Sequence, residues 1–142
     1  MFVKDIMTKE VISVSPETSL KELGEIFKAK RISGTPVVDE NGKILGIVTL
    51  TDLLRILDQI YKLKELEKRI TGLKLSEMRE EEKTRSKAKD IMNKDVCVTS
   101  EDNTIDDVMR MMFSKGIHTI PVVRDGKIVG IIGKRDVVYA CF

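Results

Sequence analysis

The chain is poor in aromatic side chains and in the residues that build metal centres. It has no Trp, four Phe, two Tyr, two Cys and one His among 142 residues. So few aromatics argue against a surface on which the bases of a single-stranded nucleic acid stack. One His excludes a His-based metal cluster within a single chain. Cys97 and Cys141 lack metal-type spacing, so we expect buried thiols and no metal site.

The chain also lacks a strong charge of one sign and a long apolar run. The formal net charge of +2 is too small to indicate a nucleic-acid partner. No apolar run approaches the roughly 20 residues of a membrane span, and the first ten residues carry charges where a signal peptide is apolar. Motifs typical of phosphate-binding loops, zinc proteases and serine hydrolases are missing. We therefore expect a cytoplasmic protein that has no membrane partner and is not an enzyme.

An internal repeat organises the sequence. Lys-Asp-Ile-Met at residues 4–7 returns 85 residues later, as does the segment that begins at residue 35 and reads Thr-Pro-Val-Val, there with Ile in place of Thr. Gly-Lys-Ile at residues 42–44 returns after 84 residues, and the one-residue difference falls in a turn, where deletions are tolerated. We divide the chain into a first copy (1–60), a charged linker (61–87) that is largely helical at its start, and a second copy (88–142).

Each copy has the pattern of a β-α-β-β-α unit. Short strands are expected at 11–14 and 96–99, and Ser19 and Thr104 each precede a helical pattern as capping residues. Asn-Gly at 41–42 and Asp-Gly at 125–126 are strong hairpin signals, and a second helix follows each hairpin. A unit this small buries too little surface to be stable alone. The predicted fold is α+β, with two pseudo-twofold-related units packed through their sheets.

The linker is basic. Residues 62–89 contain ten Lys or Arg and six Glu, a net charge of +4. Apolar residues at helical spacing predict that the preceding helix runs on to Thr71 and ends at Gly72. The simplest interpretation is a solvated helix, and a surface for a partner or for nucleic acid is the alternative.

The junction between the hairpin and the second helix could bind a ligand. Thr49, followed three residues later by Asp52, is a helix cap, and the second copy has Gly133 and Asp136 at these positions. A strand end followed by a helix start offers free amides to an anion. A carboxylate there can accept hydrogen bonds from the vicinal hydroxyls of a ribose, and Lys134 adds charge for a phosphate. This combination suits an adenosine compound.

The ordered set of motifs, present twice, resembles a pair of CBS domains, the module named after cystathionine β-synthase. The resemblance covers residues 1–60 and 86–142. It implies a module that binds AMP, ADP, ATP or S-adenosylmethionine in clefts between its two units, regulates an attached or partner protein, and is not a catalyst. It also implies a homodimer. Because no further domain is recognisable in the chain, we expect a stand-alone pair with an unidentified regulated partner.

The resemblance assigns two groups of nucleotide-binding residues. For the first site they are Ile12, Ser13, Thr35, Pro36, Thr49 and Asp52. For the second site they are Val96, Cys97, His118, Ile120, Pro121, Lys134, Arg135 and Asp136. The second copy departs from the family at Gly133, where a Ser or Thr is expected. The first copy departs at Ser33, where the second has His118, so one occupied site per chain is a plausible outcome.

Two other functions remain open at this stage. A structural dimerisation module with vestigial sites would explain the missing hydroxyl at Gly133. A nucleic-acid-binding protein would use the basic linker, although the three consecutive Glu at 80–82 interrupt its charge. Adenosine sensing is the leading hypothesis.

Overall fold

The computed structural model describes residues 1–71 and 85–142. Its helices and strands follow the predicted repeat in order, and the predicted helix end at Gly72 lies outside the described residues. In the first copy the elements are α1 (Val3–Ile6), α2 (Leu20–Lys30), β1 (Gly34–Val38), β2 (Ile44–Thr49) and α3 (Leu50–Thr71). In the second copy they are α4 (Ala88–Ile91), α5 (Ile105–Lys115), β3 (Thr119–Arg124), β4 (Lys127–Gly133) and α6 (Lys134–Ala140).

The two hairpins are built alike. Strands β1 and β2 pair antiparallel, as do β3 and β4, and each ladder shifts register at the same repeat position, after Val37 and after Val122. Gly42 and Gly126 lie in the tight turns with φ of 80° and 78°, the left-handed region that glycine enters at least cost. The predicted hairpins are therefore confirmed, down to the turn residues.

The two predicted first strands are shorter than expected. In place of strands at 11–14 and 96–99, the structure has single parallel bridges from Val14 to β1 and from Thr99 to β3. Val14 N–H donates to Pro36 O, and Val38 N–H donates back to Val14 O. The next bond of that ladder would need an N–H on Pro36, and proline has none, so the ladder ends. Pro121 ends the equivalent ladder in the second copy for the same reason.

The short opening helices are exchanged between the copies. Val3 of α1 is fully buried in the core of the second copy, and its N–H donates to Asn103 O at 2.9 Å. Ala88 of α4 is fully buried in the core of the first copy, and its N–H donates to Thr18 O at 2.7 Å. The spatial units therefore differ from the units read along the sequence, and each copy completes the core of the other.

The exchanged segments lie directly against the hairpins. A Cβ placed on Gly46 of β2 would lie 2.6 Å from the sulfur of Met92, and one on Gly130 of β4 would lie 2.5 Å from the sulfur of Met7. Only glycine allows this approach without a shift of the neighbouring atoms. In each copy, the repeated glycine thus contacts the Met of the Lys-Asp-Ile-Met segment that comes from the other copy. The predicted fold class, a pseudo-twofold pair of α+β units, is confirmed.

Candidate functional site

The junction after β2 is a reciprocal helix cap. The Thr49 hydroxyl accepts a hydrogen bond from the N–H of Asp52 at 3.3 Å and donates to the Asp52 carboxylate at 3.0 Å. The same carboxylate oxygen accepts from the Thr49 N–H at 2.8 Å. The remaining oxygen, Oδ1, accepts from Arg55 at 3.2 Å. The predicted cap is confirmed, and Asp52 is already held on both of its oxygens.

The equivalent junction after β4 is held differently. The N–H of Gly133 donates to Asp136 Oδ2 at 2.8 Å, as Thr49 does to Asp52. Asp136 Oδ1 accepts from the hydroxyl of Thr8 at 3.1 Å. The exchange of the opening segments brings Thr8 to this position, since its N–H and C=O pair with Ile131 of β4. The hydroxyl that Gly133 lacks is therefore supplied from the other end of the chain.

The two carboxylates thus have unlike neighbours. Arg55 on α3 forms an ion pair with Asp52, whose side chain is only 14% exposed. The repeat places Tyr139 where Arg55 stands, and Thr8 is the partner of Asp136. A ribose that approaches Asp52 must compete with a guanidinium, whereas one that approaches Asp136 competes with a neutral hydroxyl.

A cleft of about 410 Å³ opens between the two copies at Asp136. We call it the inter-copy cleft. It takes one residue, Ile12, from the first predicted group and three, Lys134, Arg135 and Asp136, from the second. The rest of its lining is Thr8, Glu10, Arg31, Ile32, Ser33, Gly34, Leu50, Thr119, Ile131 and Gly133. The cleft therefore groups predicted residues across the two copies, whereas the sequence analysis grouped them within each copy.

The lining also contains polar side chains that were not predicted from the sequence, among them Thr8 and Arg31. Thr8 reaches the cleft only through the exchanged segment. Arg31 ends α2 in the left-handed conformation, with φ of 54°, and its carbonyl accepts from Arg135 at 3.4 Å across the cleft. Its repeat equivalent is Gly116, also left-handed. The sequence signal for Arg31 was the presence of a side chain where the other copy has glycine. Non-glycine residues seldom adopt this conformation.

The other residues of the first predicted group lie elsewhere or are enclosed. Ser13 is exposed and lines a separate surface cavity with Asp39. Thr35 is fully buried, and its hydroxyl donates to Ile12 O at 2.7 Å. That bond replaces the one that Pro36 cannot make, and Pro36 is itself buried. Thr35 and Pro36 are therefore not among the residues that line the cleft.

The other residues of the second predicted group also lie outside the lining of the cleft. His118 is exposed, and its carbonyl accepts from the N–H of Lys134 at 3.1 Å. Ile120 and Pro121 are fully buried in β3. Val96 and Cys97 are half-buried in the segment before Thr99, so the prediction of a buried Cys97 thiol holds only in part. Cys141 is exposed, which makes the prediction of a buried thiol there wrong.

Within residues 1–71 and 85–142, His, Cys, Asp and Glu form no group of three or more that could hold a metal ion. In those ranges, every helix is too short or too polar to cross a bilayer.

One family model matches both copies. The model of the CBS domain matches residues 3–59 and residues 88–142. The uncharacterized protein MJ1426 of Methanocaldococcus jannaschii is 32% identical, over 99% of this chain and 90% of that protein. Longer relatives also match: the chain spans 38% of the uncharacterized protein MJ1232 and 22% of an inosine-5′-monophosphate dehydrogenase, both of that organism.

Solved structures of CBS domain pairs superimpose over the whole chain. The pair from protein MJ0100, in complex with 5′-methylthioadenosine and S-adenosyl-L-methionine, gives a TM-score of 0.79 at 27% identity and covers 100% of both chains. CBSX2 in complex with AMP gives 0.75 at 28% identity, over 99% of this chain and 95% of that one. With the repeat and fold described above, these matches confirm the resemblance: the chain belongs to the CBS domain family and carries two CBS domains.

Proposed function

We propose that this protein is a regulatory module that binds an adenosine compound in the inter-copy cleft. The observation that carries the proposal is the position of Asp136, a half-buried carboxylate at the wall of a cleft lined by both copies. Support comes from MJ0100 and CBSX2, which have the same fold and whose structures contain adenosine compounds.

In the proposed complex, different cleft residues contact the ribose, the base and the polar end of the ligand. Asp136 accepts hydrogen bonds from the ribose hydroxyls, and one of these replaces the bond from Thr8. The apolar side chains of Ile12 and Ile131 flank the base, since both line the cleft. The polar end of the ligand lies toward Lys134. This assignment uses the side chains that the structure brings together.

The repeat predicts a second cleft of the same design. Cys97 stands at the position of Ile12, and Asp52 at that of Asp136. We propose that this site is the weaker one, because Arg55 occupies the Asp52 carboxylate. Adding a ligand there requires that the ion pair open, and the Asp52 carboxylate, which is only 14% exposed, then loses a charged partner.

Regulation follows from the shape of the cleft. A ligand that contacts both copies stabilises the relative arrangement in which its contacts are complete. It can shift the protein only by the difference between its affinities for the two arrangements. A partner protein would then recognise the favoured arrangement.

We also propose that the protein forms a homodimer through its helices. Large apolar side chains remain exposed on both helix pairs: Leu54 of α3 is 67% exposed, and Phe113 of α5 is 87% exposed. Leu50 and Tyr139 extend these two faces. Several large apolar side chains left exposed on the helices of a small protein are typical of an interaction surface.

The test is a thermal-shift panel with AMP, ADP, ATP and S-adenosylmethionine, with and without Mg²⁺. A ligand at 100 times its dissociation constant stabilises the fold by about 2.7 kcal/mol. The binding variant is Asp136→Asn, whose side-chain oxygen can still cap Gly133 N–H. The matched control is Asp106→Asn, an exposed acid in the first turn of α5.

We expect at least one compound to stabilise the wild type and the control but not Asp136→Asn. If none of the compounds shifts the unfolding of the wild type, the sensor proposal fails. The structural dimerisation module then becomes the favoured function. A shift of equal size in Asp136→Asn would place the ligand outside the inter-copy cleft.

A further inference from the structure

Three cationic side chains line the inter-copy cleft. They are Arg31, Lys134 and Arg135, and all three residues are exposed. A guanidinium nitrogen of Arg135 donates to the backbone carbonyl of Arg31, so the Arg135 side chain of the second copy reaches the end of α2 in the first copy. We call these three residues the cationic border.

The cationic border continues beyond the cleft. A neighbouring cavity of about 740 Å³, along α2 and α3, shares Arg31 and Arg135 with the cleft and adds Lys28. The acids that line the inter-copy cleft are Glu10 and Asp136, and Asp136 is bound to Gly133 and Thr8. A ligand tail that leaves the cleft on this side therefore meets positive charge from both copies.

We propose that the cationic border selects adenosine compounds that carry 5′-phosphate groups over S-adenosylmethionine and 5′-methylthioadenosine. The inference rests on the proposed function and narrows its ligand class. Guanidinium and ammonium groups form strong charge-assisted hydrogen bonds with phosphate oxygens. The sulfonium of S-adenosylmethionine is a cation at the position of the 5′-oxygen of AMP, next to the place of the first phosphate, and the border repels it there. The thioether of 5′-methylthioadenosine has no charge for the border to bind.

Arg31 contributes most to this selection. It comes from the first copy, whereas Lys134 and Arg135 come from the second, so a phosphate between them joins the copies directly. Its backbone conformation is fixed by the end of α2, where its N–H donates to Phe27 O. A phosphate-bearing ligand is therefore also the ligand that couples most strongly to the arrangement of the copies.

The experiment is isothermal titration calorimetry on the whole chain with AMP, with 5′-methylthioadenosine and with S-adenosylmethionine, which share the adenosine group. We expect wild-type protein to bind AMP at least about tenfold more tightly, the scale of one hydrogen bond to a charged group. Arg31→Asn keeps a residue that tolerates the left-handed conformation and removes the guanidinium. This variant should bind AMP about tenfold more weakly than the wild type and bind 5′-methylthioadenosine with unchanged affinity.

The matched control is Arg110→Asn, an exposed arginine of α5 whose guanidinium pairs with Asp107. It should leave both affinities unchanged. Added salt should weaken AMP binding in the wild type and much less so in Arg31→Asn, because salt screens the exposed charges.

The possible failures are distinct. If both compounds bind with equal affinity, or if Arg31→Asn weakens both equally, the selection by phosphate is refuted while adenosine binding stands. If S-adenosylmethionine binds more tightly than AMP, the inference is also overturned. If none of the three compounds binds the wild type, the proposed function itself fails.

Discussion

The contact between Gly46 of β2 and Met92, which follows the exchanged helix α4, can be tested by adding a single methyl group. In Gly46→Ala, the new methyl group would lie 2.6 Å from Met92 Sδ, 2.8 Å from Met92 Cγ and 2.9 Å from Asn93 O. The sulfur belongs to a flexible side chain that can move. The carbonyl of Asn93 cannot move freely, because it accepts a hydrogen bond from Ile47 N–H at 3.0 Å. The substitution must therefore push α4 and the following backbone away from β2.

The size of the effect follows from these contacts. Overpacking of a filled site costs about 1–3 kcal/mol. Alanine recovers about 0.4–1 kcal/mol, since it restricts the unfolded chain more than glycine does. We therefore expect Gly46→Ala to lower the free energy of unfolding by about 1–2 kcal/mol. Gly130→Ala should cost less, because the three atoms nearest its new methyl all belong to the Met7 side chain.

The control is Gly24→Ala in the middle of α2. A Cβ at this position finds no atom of the described residues within 4 Å. Alanine is the better helix former by about 0.5–1 kcal/mol, so this variant should be more stable than the wild type. Urea unfolding followed by circular dichroism measures all three variants. The account of the exchanged segment is refuted if Gly46→Ala is as stable as Gly24→Ala.

Three further predictions concern single contacts. Thr35→Val should lower the free energy of unfolding by about 1–3 kcal/mol in urea titrations, because the buried carbonyl of Ile12 loses its donor. The hydrogen bond to Glu17 raises the pKa of Lys89 above 10.5, so this pair stabilises the fold at neutral pH and is lost as the pH rises through that raised value. The stability difference between wild type and Lys89→Met should therefore be smaller at the highest pH tested than at pH 8, and a difference that does not change with pH contradicts the pairing. Leu54→Glu should convert a dimer to a monomer in light scattering, and an unchanged mass would exclude that face.

Much of the fold could be predicted because its signals are local. Ser19 caps α2 by accepting from Glu22 N–H, and Thr104 caps α5 in the same way. The Glu22 carboxylate also accepts a hydrogen bond from the Ser19 hydroxyl, which reinforces the first cap. Asn41 and Gly42 form the hairpin turn from residues that are adjacent in sequence. Such contacts span a few residues, so spacing alone reveals them.

The site could be predicted only in part, because its residues meet through long-range packing. Asp136 is recognisable from its repeat position, but its partner Thr8 lies 128 residues away in sequence. The exchange of α1 and α4 changes neither composition nor periodicity, so no sequence pattern reports it. The shortened first strands had a visible cause in Pro36 and Pro121, yet that cause acts only once the strand pairing is known.

The most direct test of the central claim is a crystal structure of the protein grown with AMP. We predict electron density for AMP in the inter-copy cleft, with the ribose hydroxyls within hydrogen-bond distance of Asp136 and the phosphate beside Arg31. The account is contradicted if AMP binds on another surface, or if the cleft stays empty at a concentration that saturates the protein in solution.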